Sequence, residues 1–400
     1  MGDPVTTNGG RGSVIHSVRL VDDGRVIEDA WVRFEGGRVA ASGIGGGWRS
    51  EPDAGTVVDG AATAGAGAVL TPGFIDIHGH GGGGAAYDDG ADAIRTARTL
   101  HRSHGTTRAV ISLVTAPVDE LARRAGAVAD LVASDHDVLG SHLEGPFLEA
   151  DHRGAHDEDL LRAPEPGLVE QLLDAGRGTI RQITFAPERI GALAAIRETV
   201  RAGAAAAIGH TGADDATCRQ AFEAGATILT HAFNAMPGLH HRDPGPVGAA
   251  ASDPRITLEL IADGVHLHPD IVRAAFAMAP GRIALVTDAM AAAGSPDGDY
   301  RLGSLRVQVQ DRVARLVDGY PAREGPIAGS TLTQDAALRT AVAAGVDLAD
   351  AVAALTVVPA RVIGVDRDYG TLSVGRAADA VLLGSDLVVR SVWADGTPVD

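Results

Sequence analysis

The stretch GFIDIHGHGGGG, residues 73 to 84, joins an alternating apolar run to two histidines and then to four consecutive glycines. Because side chains alternate along a strand, His78 and His80 share a face and can approach one ligand together. The glycines have no Cβ atom, so we expect them to let the backbone approach that ligand closely. The stretch therefore predicts a strand that ends at a binding site.

Seven further apolar runs follow, separated by Ala-rich segments with helical periodicity. The eight predicted strands cover residues 70–77, 107–114, 137–144, 181–186, 204–209, 226–231, 256–263 and 282–287. Strands that alternate with helices form parallel sheets, and eight such units form a barrel of about 250 residues. The pattern predicts an α/β fold with a (β/α)8 TIM-type barrel. After the eighth strand, we expect a β-hairpin insertion at 300–328 and two more helices at 331–363.

The 400-residue chain is long enough for a barrel and a second, smaller domain. Residues 13–70 alternate apolar and polar positions with turns at DDG and EGG, which is typical of a small antiparallel β unit. The C-terminal residues return to this pattern, so we expect both chain ends to build one small β-sandwich domain. The predicted division is 1–67 for its N-terminal part, 68–365 for a metal-dependent hydrolase barrel, and 366–400 for its C-terminal part.

The composition argues against several classes of function. A formal charge of −18 disfavours a nucleic-acid or anionic-membrane partner. The chain contains no lysine, which excludes a lysine Schiff base, a P-loop and a metal bridge made from a modified lysine. Cys218 is the single cysteine, so no internal disulfide can form. The N-terminal MGDPVTTNGGRG lacks the regions of a signal peptide, and we expect a cytoplasmic protein with no membrane partner.

Four histidines and two carboxylates stand at the ends of the predicted strands. They are His78, His80, Glu144, His210, His231 and Asp288. The carboxyl ends of barrel strands converge on one mouth, so these six side chains are expected to point into one volume. Imidazole nitrogens and carboxylate oxygens suit a divalent metal ion, Zn²⁺ first, with Fe²⁺, Mn²⁺ and Co²⁺ as alternatives. The sequence predicts a metal centre at the barrel mouth.

This ligand set indicates hydrolysis. Three protein ligands leave a coordination position for water, and a metal ion lowers the pKa of such a water to about 7. Asp288 is expected to take the remaining proton and later return it to a leaving group, as general base and then general acid.

A second set of polar residues follows the mouth-end strands on loops, where binding groups are expected. It comprises His156, Asn234, Ala235, Arg242, Asp263 and His266. In an otherwise acidic chain, Arg242 and His266 are natural donors to a phosphate or carboxylate. We therefore expect a small anionic substrate.

Nine motifs in fixed order connect the sequence with a known family. They are PGFIDIHGHGGGG, HLEGPF, GAHD, GHTGAD, THAFNAM, HRDPG, DGVHLHP, LVTDAM and AGSTLT. Over nearly its whole length the chain resembles the N-acetylglucosamine-6-phosphate deacetylases of the amidohydrolase superfamily. The resemblance implies hydrolysis of the acetamide of N-acetylglucosamine 6-phosphate to glucosamine 6-phosphate and acetate, in amino-sugar catabolism or cell-wall recycling.

The resemblance also implies roles for individual residues. Glu144, His210 and His231 bind the main metal ion, and Asp288 is the general base and acid. For the reaction itself we also expect the metal ion and His156 to stabilise the oxyanion. The implied substrate contacts are Ala155, His156, Asn234, Ala235, Arg242, Asp263 to His266, Ile327, Ala328 and Gly329. Family members have active sites near a dimer interface, so we expect a homodimer in which Arg242 or His266 can serve the neighbouring site.

The sequence leaves four points open. Some family members have Gln and Asn in place of His78 and His80 and use one metal ion, so this chain can bind one ion or two. An N-acetylated epimer such as N-acetylgalactosamine 6-phosphate is an alternative substrate. A non-catalytic scaffold relative and a deaminase acting on a heterocyclic ring are alternatives of other classes.

Overall fold

The computed structural model describes residues 12–51, 55–320 and 324–399. The first eleven residues, on which the expectation about a signal peptide rests, lie outside this part. The strands of the described chain are, in chain order, β1 (Ser13–Asp22), β2 (Arg25–Glu35), β3 (Arg38–Ile44), β4 (Thr56–Asp59), β5 (Val69–Pro72), β6 (Phe74–Asp76), β7 (Gly81–Gly82), β8 (Ala85–Ala86), β9 (Thr106–Val114), β10 (Val138–Glu144), β11 (Ile180–Phe185), β12 (Ala205–Ile208), β13 (Ile228–Leu229), β14 (Thr257–Leu260), β15 (Ile283–Leu285), β16 (Gly298–Leu302), β17 (Leu305–Gln310), β18 (Val313–Leu316), β19 (Ala380–Leu383), β20 (Val389–Ala394) and β21 (Thr397–Pro398). The α-helices are α1 (Gly60–Ala64), α2 (Ala91–Ser103), α3 (Val118–Val132), α4 (Leu168–Ala175), α5 (Ala192–Arg201), α6 (Asp215–Glu223), α7 (Gly245–Ser252), α8 (Pro269–Met278), α9 (Gln334–Ala343), α10 (Leu348–Ala353) and α11 (Val357–Val362).

Eight parallel strands form the predicted barrel. They follow one another around the sheet in the order β6, β9, β10, β11, β12, β13, β14 and β15. Helices pack outside the sheet, so the strands are covered on both faces and are almost entirely buried. This burial explains why the barrel strands appear in the sequence as continuous apolar runs, and the barrel prediction is confirmed.

The barrel is closed between β6 and β15 by the Gln334 side chain and by backbone carbonyl groups of the segment after α10. The Gln334 amide at the start of α9 donates hydrogen bonds to the carbonyl oxygens of Ile75 and Leu285, at 2.9 and 3.3 Å. The backbone N–H groups of Ile75 and Leu285 donate in turn to the carbonyls of residues 355 and 354. The segment after α10 therefore completes the wall that the two short strands leave open.

This closure changes the predicted helices. The two helices expected in 331–363 are three, α9, α10 and α11. The chain leaves helical geometry at Leu355 and Thr356. The carbonyl oxygens of Ala354 and Leu355 accept hydrogen bonds from barrel strands there, instead of from a following helical turn. Because that use of the carbonyls depends on distant strands, the local periodicity of the sequence does not show the break.

The chain ends share a second sheet, whose strand order is β21, β20, β19, β5, β1, β2 and β3, with β4 also paired to β1. The prediction of an antiparallel unit was wrong in part, because β1 runs parallel to both β4 and β5. The predicted strand 70–77 is also divided, with β5 in this sheet and β6 in the barrel. Gly73 lies at the junction, where a Cβ atom would come within 2.2 Å of the Thr107 hydroxyl oxygen. The domain boundaries at 67/68 and 365/366 stay predictions.

The predicted hairpin insertion is a three-stranded antiparallel sheet, β16 to β18. Its apolar side chains, among them Val307 and Leu316, pack with Ala155, Met290 and Ala328 from the loops at the mouth. The insertion therefore forms one wall of the barrel mouth. Among the described residues, no helix has the length and apolar character needed to cross a membrane.

Candidate active site

The structure brings all six predicted metal ligands together at the barrel mouth, and all six are buried. They form two groups that share Glu144. One group contains His78, His80, Glu144 and Asp288, and the other contains Glu144, His210 and His231. Within each group the ligand atoms lie within 4.8 Å of one another. This spacing fits two cation sites with a bridging carboxylate.

Glu144, at the end of β10, is the centre of the cluster. Its Oε1 lies 3.2 Å from the Nε2 atoms of His78, His210 and His231, and its Oε2 lies 3.0 Å from Nε2 of His80. The Nε2 atoms of His210 and His231 are only 2.9 Å apart. Two ring nitrogens at this distance cannot both carry a proton directed at the other, so they suit a shared cation. The donor set and its geometry therefore fit a divalent metal ion.

Three of the six residues have a backbone conformation that non-glycine residues rarely adopt. The φ angles of His210, His231 and Asp288 are 48°, 29° and 47°, in the left-handed region. Such a conformation costs about 1–3 kcal/mol and persists only where the surroundings enforce it. The turns after β12, β13 and β15 thus aim these side chains into the mouth at some cost in stability.

Hydrogen bonds on the far side of two imidazoles orient them towards the cluster. The Nδ1 atom of His210 lies 3.0 Å from the carbonyl oxygen of His152, and Nδ1 of His78 lies 2.9 Å from Oε2 of Glu259. Both acceptors hold a proton on Nδ1, which leaves the Nε2 lone pair free to bind a cation.

The electrostatics of the cluster also favour a cation. Burial opposes charge on His80, but Asp288 and Glu144 raise the pKa of this imidazole to about 9. Burial alone would raise the pKa of Asp288, but the hydrogen bond from His80 and the charge on His78 hold it below its usual range. Both effects show that the two carboxylates attract positive charge strongly into this volume.

A cavity of about 430 Å³ opens directly above the cluster. The predicted site residues that line it are His80, Glu144, Ala155, His156, His210, His231, Asn234, Ala235, His266, Asp288, Ile327 and Gly329. This volume is suitable for a small ligand rather than a polymer. Ala328 lies in the same turn as Ile327 and Gly329, but its side chain is buried in the core beneath the insertion.

His156 stands between the cluster and the cavity. Its Nε2 lies 3.5 Å from Oε2 of Glu144, and its Nδ1 lies 2.8 Å from the hydroxyl oxygen of Thr115. The same hydroxyl oxygen lies 3.1 Å from the carbonyl oxygen of Glu144, at the end of β10. Thr115 therefore fixes the His156 ring with Nε2 directed at the cavity.

His266 presents a second imidazole to the cavity, and Asp263 orients it. The carboxylate of Asp263 accepts from His266 Nδ1 at 2.7 Å and from the backbone N–H groups of Val265 and His266 at 2.8 Å. Burial disfavours charge on His266, but Asp263 raises the pKa of this imidazole above its usual value. A cationic His266 is suitable for an anionic part of a ligand.

Arg242 does not line the cavity within one chain. Its side chain is exposed, and Nη1 lies 2.7 Å from Nε2 of His241. The loop after Met236 directs Arg242 to the surface, so the single chain does not place it in its own cavity. Its contact with a substrate stays a prediction.

Several residues of the site were not identified from the sequence. The cavity is also lined by His152, Arg153, Leu302 and Tyr320, and Glu259 and Thr115 hold two of the histidines. Glu259 did leave a signal, since it is the one charged residue within the otherwise apolar run ITLELIA. The side chains of Leu302 and Tyr320 reach the mouth only through the insertion, whose placement no local pattern indicates.

The first two glycines after His80 pack closely against other parts of the protein. Gly81 and Gly82 form β7, which pairs with β8 in a short hairpin. A Cβ atom on Gly81 would lie 2.4 Å from the carbonyl oxygen of Ala85, and one on Gly82 would lie 2.8 Å from Nε2 of His101. The bare backbone is needed for close contact with the protein itself, and it anchors His80 at the mouth. An approach of these glycines to a ligand stays a prediction.

Comparison with known proteins agrees with this geometry. Residues 69–399 match the family model described as the amidohydrolase family. The chain belongs to the amidohydrolase family. An N-acetylgalactosamine-6-phosphate deacetylase from Escherichia coli O157:H7 is 40% identical to this amidohydrolase over 333 residues, 82% of this chain and 87% of the relative. An N-acetylglucosamine-6-phosphate deacetylase from Vibrio furnissii is 35% identical over 335 residues, 82% of each chain.

A solved structure extends the similarity to the whole fold. It is a mutant N-acetyl-D-glucosamine-6-phosphate deacetylase from Mycobacterium smegmatis in complex with N-acetyl-D-glucosamine-6-phosphate. It has a TM-score of 0.90 and 40% identity, and the match covers 98% of this chain and 100% of that chain. The resemblance inferred from the motifs is confirmed, as is the class of enzyme. The alternative of a non-catalytic scaffold does not agree with a complete buried ligand set.

Proposed function

We propose that this amidohydrolase hydrolyses the acetamide of N-acetylglucosamine 6-phosphate, which gives glucosamine 6-phosphate and acetate. The observation that carries the proposal is the placement of Asp288, His156 and Glu144 around one end of the cavity, with His266 presented to the same cavity. One end suits an amide carbonyl beside a cation, and a cationic imidazole suits a phosphate. The 40% identical structure that contains this substrate supports the proposal.

The metal centre would be held by His78, His80, Glu144, His210, His231 and Asp288. We propose Zn²⁺, with one or two ions per subunit; Fe²⁺, Mn²⁺ and Co²⁺ suit the same donors. When bound, a divalent ion polarises the amide carbonyl and makes a nearby water more acidic.

The residues of this chain then carry the proton transfers. Asp288, ionised because its pKa is low, accepts a proton from water as the water adds to the carbonyl carbon. His156, held by Thr115 with Nε2 towards the cavity, stabilises the developing oxyanion. Asp288 returns the proton to the amine as the C–N bond breaks. Asn234 and the backbone at Ala155, Ala235, Ile327 and Gly329 line the space for the sugar.

We propose a cytoplasmic homodimer. Leu239 and Val265, on the two loops beside the mouth, are 51% and 44% exposed, and Arg242 on the first loop is exposed beside them. A second subunit packed on these loops would cover the apolar side chains. It would also bring Arg242 to a cavity other than its own, where it would bind the phosphate with His266.

The galactosamine epimer is the second candidate substrate, favoured by the 40% identity to the Escherichia coli relative of that name. The two sugars differ in the orientation of one ring hydroxyl. Values of kcat/KM for both N-acetylated sugar phosphates, measured side by side, test the assignment. We expect the glucosamine substrate to be favoured at least about tenfold, the discrimination that one well-placed buried hydrogen bond can give. The reverse ratio would assign the enzyme to the epimer.

A further inference from the structure

Glu259 is a buried carboxylate in the middle of β14, with no exposed surface. Its Oε2 accepts from Nδ1 of His78 at 2.9 Å and from the backbone N–H of His231 at 3.3 Å, and its Oε1 accepts from the amide of Gln182 at 2.9 Å. Burying a carboxyl group in a barrel core has a large cost in desolvation, which such bonds offset only in part. A side chain with this cost in stability is expected to have a function.

The contacts of Glu259 reach one ligand from each of the two groups. Through its side chain bond, it sets the ring of His78, which belongs to the group with His80 and Asp288. Through the backbone bond, it holds the turn at His231, whose φ of 29° is in the left-handed region. Glu144 is the only other described side chain that contacts both His78 and His231 with its carboxylate.

The two contacts act differently. With its Nδ1–H held by Glu259, His78 directs Nε2 at Glu144 and Asp288, 3.2 and 3.7 Å away. This nitrogen has no hydrogen-bond partner among the described residues. The ligand function of His78 thus depends directly on Glu259, while that of His231 depends on it only through the backbone.

We propose that Glu259 is a positioning residue that orients His78 and the His231 turn together, and thereby links the two cation sites. The proposal rests on the metal centre of the proposed function but not on the substrate. Carboxylates that hold a metal-bound histidine in other proteins change metal affinity by about 10–100-fold when they are removed. The site of His78 and His80 should therefore lose affinity by this factor, and the site of His210 and His231 should lose less.

The variant Glu259→Gln tests this. The new amide needs an acceptor, and Oε1 of Gln182, which is buried without a partner in the described structure, can provide one if the Gln182 amide rotates. The variant can therefore fold, and thermal unfolding checks that it does. Metal-free protein is titrated with Co²⁺, and visible absorption gives the number of ions bound and the dissociation constant of each.

We expect wild type to bind two Co²⁺ ions and Glu259→Gln to bind one of them about 10–100-fold more weakly, with a changed absorption spectrum. The control is Thr184→Val, because Thr184 is also a buried polar residue and its recorded contacts are with His142 and Thr230, neither of them a predicted metal ligand. This control should leave both dissociation constants within twofold of wild type.

Unchanged dissociation constants in Glu259→Gln, or equal losses in Thr184→Val, would overturn the proposal. So would a single Co²⁺ ion in wild type whose affinity the Glu259→Gln substitution does not alter. The readout uses no sugar, so a failure of the substrate assignment leaves this result intact. A correct substrate assignment likewise does not rescue the proposal if metal affinity is unaltered.

Discussion

Asp288 has the position and the charge of a general base. It ends the last barrel segment, its N–H donates to the carbonyl oxygen of His78 at 2.8 Å, and its Oδ1 lies 3.3 Å from Nε2 of His80. These contacts fix the carboxylate at the border between the cluster and the cavity. An asparagine there would keep the shape and one oxygen but could not accept a proton.

We therefore predict that Asp288→Asn lowers kcat/KM for N-acetylglucosamine 6-phosphate by about 10²–10⁴-fold, the range of general base catalysis. Acetate release measures the rate, and metal analysis shows whether the ion at Glu144, His210 and His231 is kept. Asp130→Asn is the control, because Asp130 is exposed on α3 and pairs with Arg177 on the outer surface of the barrel. A metal-loaded Asp288→Asn protein with the wild-type rate would disprove the mechanism.

His101 predicts a pH dependence of stability that does not involve the ligands. This imidazole is buried, its Nε2 lies 2.9 Å from the carbonyl oxygen of Gly81, and burial lowers its pKa from 6.5 to about 4. Below pH 6.5, His101 therefore binds a proton in the unfolded chain, whereas in the folded chain it binds this proton only below about pH 4. The contribution of neutral His101 to the free energy of unfolding is complete above pH 6.5. Between pH 6.5 and pH 4 it is lost by about 1.4 kcal/mol for each pH unit.

We predict that His101→Gln, which keeps an N–H donor for Gly81, weakens the loss of stability between pH 6.5 and pH 4.5. The measurement is the difference in free energy of unfolding between the two proteins at each pH, because Asp22 and Asp76 also titrate here with pKa values raised by burial to about 6. These carboxylates act in the opposite direction but cancel in the difference. Parallel profiles for the two proteins would show that His101 does not contribute.

Among the individual residues of the site, those that directly follow a barrel strand could be predicted from the sequence. The six ligands needed only the rule that barrel strands point their carboxyl ends at one mouth. Glu259 and Thr115 could not be assigned in the same way, because Glu259 contacts a histidine that is 181 residues away along the chain. The direction of Arg242 could not be predicted, because a loop residue has no periodicity to fix it.

Among the elements, the β7–β8 hairpin requires glycine at Gly81. The backbone N–H of His80 donates to the carbonyl of Ala289 at 2.7 Å, and the His80 carbonyl accepts from Tyr87 at 2.8 Å. The hairpin is packed so closely that any side chain at Gly81 would push against Ala85 and displace His80 from the cluster.

We predict that Gly81→Ala lowers the free energy of unfolding by about 1–3 kcal/mol, the usual cost of overpacking, and also reduces activity. Gly298→Ala is the control, because a Cβ atom there would be 3.9 Å from the nearest atom, a ring carbon of Tyr300. Chemical denaturation and acetate release test both variants. Wild-type stability and activity in Gly81→Ala would show that the hairpin can move away without consequence.

The strands of the barrel were predictable because burial on both faces leaves a continuous apolar run. The division of residues 70–77 between two sheets was not predicted, although Pro72 and Gly73 gave a turn signal inside the run. Parallel pairing of β1 with β4 and β5 joins segments that are far apart in the sequence, so alternation alone could not reveal it. The pattern of apolar and polar residues predicts which residues form strands better than it predicts which strands pair.

For the whole molecule, the position of Arg242 makes a prediction about assembly. If Arg242 serves the cavity of a neighbouring subunit, then Arg242→Ala and Asp288→Asn should complement each other in a mixed dimer. One site of that dimer would carry both defects and the other would carry neither.

We therefore predict that each variant alone is nearly inactive, and that co-expression of the two in equal amounts restores about a quarter of wild-type activity, because half the dimers are mixed. Acetate release from the co-expressed and the separately purified proteins measures this. Recovery close to zero would place Arg242 in the site of its own chain, whereas an Arg242→Ala protein that is active by itself would place Arg242 outside the site.

The substrate of the enzyme is the central claim, and one comparison tests it most directly. Metal-replete protein is mixed with N-acetylglucosamine 6-phosphate and, separately, with unphosphorylated N-acetylglucosamine, and acetate release is followed. We predict rapid turnover of the phosphorylated sugar and little turnover of the other, because His266 and Arg242 provide cations that only the phosphate can use. No acetate from either sugar, with the metal confirmed as bound, would contradict the substrate assignment.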